Sequence, residues 1–223
     1  MMDFAAARRM MVDGQVRTSD VNDPRIIAAM LEVPRERFVP QPKAALAYAD
    51  LDIPVSEAKS PALVRRLLKP MVLAKLVQAA DIGEGERVLD VGCASGYSSA
   101  VLARLAGSVI ALEEDRELAQ AAAENLKALE IPNVTVVSGP FVAGWPAGAP
   151  YDVVLINGAT EITPKVLLAQ LRPGGRFLGI FGRSPGGKAM LYRAIGAEVS
   201  GRPIFDAAAP LLPGFVVPPE FVF

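Results

Sequence analysis

From Met71 to about Ala194 the chain alternates short apolar runs with longer amphipathic stretches, and this alternation leaves few folds open. Val72, Leu76 and Ala79 keep helical spacing until Gly83-Glu84-Gly85-Glu86 breaks it, and Arg87 to Val91 follows as a first strand. Ser98 to Leu105 reads as helix and Ser108 to Leu112 as a second strand. Asp115 to Leu129 is a longer helix, with Leu118, Ala122, Leu126 and Leu129 on one face. Asn133 to Val137 and Tyr151 to Ile156 are the third and fourth strands. Pro164 to Leu171 is a helix, and Pro173-Gly174-Gly175 turns the chain into a fifth strand, Arg176 to Ile180. Ala189 to Ala194 and Gly214 to Phe223 are expected to close the sheet. Strands separated by helices imply parallel pairing with helices on both faces, so the expectation is an α/β fold with a doubly wound, mostly parallel, seven-stranded sheet.

The chain before this repeat has a different character. Asp3 to Met30 is helix-forming, with breaks near Thr18-Ser19-Asp20 and Asn22-Asp23-Pro24, so two helices are expected, the second opening at Pro24 with Asp23 as its cap. Pro34, Pro40, Pro42, Pro54 and Pro61 make residues 34 to 61 a loop with short turns. Residues 1–70 are therefore read as a helical and proline-rich cap laid over a core of residues 71–223, the two forming one structural unit. A length of 223 residues suits one such unit.

Composition narrows the chemistry. Histidine is absent and Cys93 is the only cysteine, which excludes His-based triads, zinc hydrolases, thiolate metal clusters and intrachain disulfides. No metal is expected. The 23 basic and 24 acidic residues nearly cancel, which offers no reason to expect nucleic acid or an anionic membrane as partner. No run approaches the roughly 20 apolar residues of a membrane span, and no signal-peptide core follows Arg8 and Arg9. A cytoplasmic protein is expected.

The strongest local signal is the loop Asp90-Val91-Gly92-Cys93-Ala94-Ser95-Gly96, which leads from the first strand into a helix at Tyr97. Small residues at Gly92, Ala94 and Gly96 let backbone approach a ligand, and the helix start offers N–H groups to a carboxylate. Glu113, directly after the second strand, can accept both hydroxyl hydrogens of a cofactor ribose. A dinucleotide site would want glycine where Tyr97 stands, whereas Asp90 can reach an ammonium group. S-adenosylmethionine carries an ammonium and a ribose and no pyrophosphate. A turn without ligand, a capping Asp90 and a solvated Glu113 remain the bland alternatives.

Arg9-Met10-Met11-Val12, Gln15-Val16-Arg17, Val33-Pro34-Arg35-Glu36-Arg37-Phe38-Val39-Pro40 and Ala47-Tyr48-Ala49-Asp50 precede Val88-Leu89-Asp90-Val91-Gly92 and Gly96-Tyr97. Gly144-Trp145-Pro146 and Ala149-Pro150-Tyr151-Asp152 follow. In this order, over nearly the whole chain, these segments resemble the protein-L-isoaspartate O-methyltransferases, which are S-adenosylmethionine-dependent enzymes of Rossmann-like fold. The resemblance implies methyl transfer from S-adenosylmethionine to the α-carboxylate of L-isoaspartyl residues in damaged proteins or peptides, a repair reaction. It implies Asp90, Gly92, Cys93, Ala94, Gly96, Glu113, Pro140 and Phe141 around the cofactor, and Leu68, Arg66 and Asn157 toward the substrate. No catalytic side chain is assigned, because a carboxylate is already an anion at neutral pH.

The chain departs from the family pattern at several of these positions. Counting back from Pro70 puts Leu68 where the family has a serine beside the substrate carboxylate, and Arg66 where it has a threonine; Ser56 and Ser60 are alternative hydroxyls. Arg65 and Arg66 are either an attraction for that carboxylate or exposed helix arginines. Pro140 stands where an acid lies by the adenine, Phe141 is placed to pack on that ring, and Asn157 replaces a threonine. Ala94 replaces a glycine, at a cost of roughly 1–2 kcal/mol if its φ is positive. Two further readings stay open: a binding protein that keeps the fold without transferring methyl, and a methyltransferase for another acid. The sequence carries no signal for the oligomeric state, and a monomer is favoured over an oligomer.

Overall fold

The computed structural model describes residues 3–57, 64–196 and 198–217. Helix α1 (Phe4–Met11) runs on through a π turn, Val12–Val16, and a 3-10 turn, Arg17–Ser19. Helix α2 (Pro24–Glu32) starts where expected: the Asp23 carboxylate accepts the Arg25 N–H and Pro24 occupies the first turn, where its missing donor costs nothing. The proline-rich stretch forms 3-10 turns at Arg35–Phe38 and Gln41–Leu46. A minimal antiparallel pair follows, β1 (Ile53–Pro54) with β2 (Arg66–Leu67). Arg65 and Arg66 thus belong to a small hairpin and not to a helix. Ser60 lies outside the described residues.

Helix α3 (Pro70–Ala80) leads into β3 (Arg87–Val91), α4 (Tyr97–Leu102), β4 (Ser108–Glu113), α5 (Arg116–Ala128) and β5 (Val134–Ser138). Then come β6 (Tyr151–Thr160), the short α6 (Lys165–Leu168), β7 (Leu171–Phe181), β8 (Lys188–Ile195) and β9 (Glu198–Asp206). The seven-stranded sheet has the order β5-β4-β3-β6-β7-β8-β9. Its first five strands are parallel, and β8 and β9 return antiparallel. The fold is thus a mostly parallel α/β sheet of Rossmann-like type.

The period of two in the strands sorts their side chains between two cores. Val88, Val153, Leu155, Leu178 and Ile180 belong to a cluster shared with the cap and α3, whereas Leu89, Val91, Val154, Ile156 and Phe177 belong to one shared with α6 and Leu212. All ten residues of the central strand β6 are buried, as a strand covered on both faces requires.

One strand differs from the sequence reading. The last strand among the described residues is β9; of the expected strand Gly214 to Phe223, residues 214–217 are not extended into a ladder and residues 218–223 lie outside the described ones. Residues 210–215 instead dock beside the end of β6, with a single bridge between Ala159 and Leu211. Prolines 210 and 213 cannot donate to a ladder, which limits that segment. Strand β9 was hard to see because it is an exposed edge carrying Gly201 and Pro203 and lacks apolar alternation. Among the described residues no helix is long and apolar enough to cross a membrane.

Candidate functional site

The carboxyl ends of β3, β4 and β6 meet at one edge of the sheet, where a crevice forms in open α/β sheets. The loop after β3 turns sharply there: Gly92, Ala94 and Gly96 have φ of 75°, 51° and 99°. The Gly92 and Cys93 N–H groups both donate to the Leu112 carbonyl, at 2.8 and 3.2 Å, which ties the loop to β4. At Gly96 a side chain would be crowded as well as strained, because a Cβ would sit 3.2 Å from Ala122 Cβ and 3.3 Å from Ala122 Cα. Ala94 carries the positive-φ penalty of about 1–2 kcal/mol that a glycine would avoid.

Asp90 is fully buried, and its carboxylate is turned inward. Ser98 Oγ and Ser99 Oγ donate to Oδ2 at 2.7 and 2.5 Å, and Asn157 Nδ2 donates to Oδ1. Burial outweighs these donors, so its pKa is pushed up to about 6. Both oxygens that sequence reasoning directed at an ammonium are therefore engaged by the protein's own side chains. The same carboxylate joins β3 to the start of α4 and to β6. Cys93 is also buried, which holds its thiol well above the usual range.

Glu113 ends β4 with no exposed surface. Its Oε2 accepts the Ala94 N–H at 2.7 Å, and its Oε1 accepts those of Glu114 and Asp115 at 3.0 and 3.3 Å. The fourth contact comes from the cap. Arg65 Nη2 lies 3.4 Å from Glu113 Oε2 and donates to the Gly92 carbonyl at 3.0 Å, while the guanidinium carbon stands 5.0 Å from the centre of the Phe141 ring. Arg65 is buried, which corrects its reading as an exposed arginine. Pro140 is exposed, and Phe141 behind it is buried in the second core cluster.

The three residues assigned to the substrate side come together. Leu68, Arg66 and Asn157 line one small cavity with Gly92, Cys93 and Ala94, and its volume is about 10 Å³. Leu68 is buried and its carbonyl accepts Arg35 Nη2 at 2.7 Å; Arg66 donates to the Asp52 carbonyl at 3.1 Å. Ser56, the alternative hydroxyl, instead accepts the Arg65 N–H at 2.9 Å.

Sequence reasoning missed the residues that hold the cap onto this edge. Arg35 is fully buried, donates to the Ala47 carbonyl at 2.8 Å, and lies 4.6 Å over the Tyr97 ring at the start of α4. Ser95 donates to the Phe38 carbonyl. Leu212, from the far end of the chain, packs against Gly92. The Val33-Pro34-Arg35 segment was the available signal for Arg35; nothing local announced Leu212.

Comparison with known proteins agrees with this architecture. The family profile described as protein-L-isoaspartate(D-aspartate) O-methyltransferase matches residues 7–193. Protein-L-isoaspartate O-methyltransferase 1 of Rhodopseudomonas palustris (strain HaA2) is 41% identical over 175 residues, covering 78% of this chain and 69% of that protein. Protein-L-isoaspartate O-methyltransferase 2 of Anaeromyxobacter sp. (strain Fw109-5) is 39% identical, covering 87% and 76%. A solved protein-L-isoaspartate O-methyltransferase shares the fold at a TM-score of 0.80 and 24% identity, over 93% of this chain and 66% of that one. A Plasmodium falciparum structure, a complex with S-adenosyl-L-homocysteine, shares it at 0.72 and 18%, over 95% and 99%. With a profile match running from the first cap helix into β8, and relatives this similar, the chain belongs to the protein-L-isoaspartate(D-aspartate) O-methyltransferase family.

Proposed function

We propose that this chain transfers a methyl group from S-adenosylmethionine to the α-carboxylate of L-isoaspartyl residues in proteins and peptides. The observation that carries the reading is the buried Glu113 at the end of β4, facing the glycine elbow after β3, in a chain of this family. The residue set fits the cofactor: an acid for ribose hydroxyls, the bare Gly92, and the aromatic Phe141 for the adenine. What fills the space is a side chain, Arg65, and side chains can move. A Cβ on Gly92 would lie 2.7 Å from Arg65 Nη2, so the arginine rests directly against the elbow.

The bound cofactor supplies an electrophilic methyl on its sulfonium. The protein's own part is placement and exclusion of water. Asp90, through Ser98, Ser99 and Asn157, holds the elbow to α4 and β6. Leu67, Leu68 and Leu73 make part of the cavity wall apolar, and Arg66 and Asn157, beside Arg35, Tyr97 and Ser98, are among the polar groups there to meet a carboxylate. No general base is required, which suits a chain without histidine. Its balanced charge gives no electrostatic reason for a nucleic-acid partner, and we read the protein as cytoplasmic.

Leu68 favours a second reading, a binding protein of the same fold, because it offers no donor to a carboxylate. Incubation with methyl-labelled S-adenosylmethionine and an isoaspartyl peptide, beside its aspartyl twin, separates the two. Base-labile label on the isoaspartyl peptide alone is expected. Cofactor binding without label on either peptide would favour the binding protein.

A further inference from the structure

Arg65 makes, from within the chain, the two contacts proposed for the adenosine part of the cofactor. Its Nη2 stands at Glu113 and its planar guanidinium faces Phe141. We propose that Arg65 is a built-in competitor of the adenosine moiety, so that cofactor enters only when this side chain leaves the cradle; the inference rests on the reading of Glu113 and Phe141 given above.

Three observations make Arg65 a displaceable occupant and not a permanent part of the core. First, its charge is only partly satisfied, since one hydrogen bond of ordinary length, from Nη2 to the Gly92 carbonyl at 3.0 Å, holds the guanidinium. The contact to Glu113 is long, at 3.4 Å, and the buried Nε has no partner among the described residues. A buried donor left unpaired weakens the arrangement that contains it. Second, Glu113 does not depend on Arg65, because backbone N–H groups of Ala94, Glu114 and Asp115 already hold both its oxygens. Third, Arg65 stands just before β2 of an antiparallel pair whose strands have two residues each, Ile53–Pro54 and Arg66–Leu67, and among the described residues its backbone is tied only to Val55 and Ser56 of the same segment. Such a pair has little stability of its own.

The device has a defined cost. A ligand that binds only the open form has its affinity reduced by the fraction of molecules that are open. If the filled form holds about nine-tenths of the population, removing the arginine tightens binding about tenfold. The gain must follow the adenosine end, since Arg65 stands where that end is placed.

The test is calorimetric titration of the wild type, Arg65→Ala and Arg65→Gln with S-adenosylhomocysteine, adenosine and L-methionine. The glutamine variant keeps much of the length without the charge, and decides the matter if the alanine protein does not fold. We expect both variants to bind S-adenosylhomocysteine and adenosine about tenfold more tightly than the wild type, with no gain for methionine. Equal or weaker binding of S-adenosylhomocysteine by the variants would overturn the competitor role and leave the cofactor reading standing. A gain that extends equally to methionine would also overturn it. No binding of S-adenosylhomocysteine by any of the three proteins would remove the cofactor reading and the competitor together.

Discussion

At the scale of single residues, Asp90 is the most consequential group that the chemistry does not use directly. Its pKa rises from 3.8 to about 6 on folding, chiefly by burial. The native state therefore holds a proton between those values that the unfolded chain has released, and the stability contributed by this group falls as pH rises from about 4 to about 6. A shift of roughly two units, at about 1.36 kcal/mol each, sets the total near 3 kcal/mol. Urea unfolding of wild type and Asp90→Asn should show the wild type losing about that much relative to the variant between pH 4 and pH 7. A difference independent of pH would mean that Asp90 stays ionised in the fold. Leu68 raises a different question, since it is buried and lines one cavity with Asn157 and Arg66, at the position we propose to correspond to the family's serine. One donor to a charged acceptor is worth roughly 1.5–3 kcal/mol, or about 10- to 150-fold in rate if it acts in the transition state. Leu68→Ser is expected to raise kcat/KM on an isoaspartyl peptide within that range, while losing about 3 kcal/mol of stability through the buried side chain. An unchanged rate in a folded variant would show that Leu68 is not at the substrate.

At the scale of elements, local patterns place most of the parallel half of the molecule, and one arginine fastens a helix to it. Arg176 in β7 donates to the Ala80 and Asp81 carbonyls at 2.8 and 2.7 Å and to both oxygens of Glu86 at 2.8 and 2.7 Å. It thus satisfies carbonyls at the end of α3 that the helix leaves open, and does so with a positive charge where the helix dipole is negative. The pair raises the arginine pKa and lowers that of Glu86. Arg176→Ala should cost about 2–3 kcal/mol, because two helix-end carbonyls lose their donor while Glu86 keeps only the Gly83 N–H and the longer contact to Arg172. Its urea midpoint should fall without a change in S-adenosylhomocysteine affinity. A midpoint within error of wild type would show that solvent replaces all these bonds.

The whole molecule has one core on the cap side of the sheet. Met11, Val16, Ile26, Met30, Phe38 and Ile53 lie in the same cluster as Val88, Leu155 and Leu178. The division into residues 1–70 and 71–223 is therefore proposed as a division of roles, with folding shared. A chain shortened to residues 70–223 would uncover that face, and should aggregate or lose its cooperative thermal transition by circular dichroism. A monomeric fragment with a sharp transition near that of the full chain would show two independent units.

What the sequence determined alone is what depends on near neighbours: the strand and helix periods, the Asp23 cap, and the glycine elbow followed by an acid at the end of the next strand. Those features repeat within a few residues, so short-range chemistry writes them plainly. The edge strand β9 escaped because an exposed strand needs no apolar code, and at residues 214–217 an apolar run after Pro213 resembled the start of a strand without forming one. The tertiary structure alone decided the contents of the site. Glu113 meets an arginine 48 positions earlier, Asp90 meets an asparagine 67 positions later, and Gly92 meets Leu212. Such contacts follow from where the cap and the far end of the chain are packed, and packing depends on the whole set of buried surfaces at once.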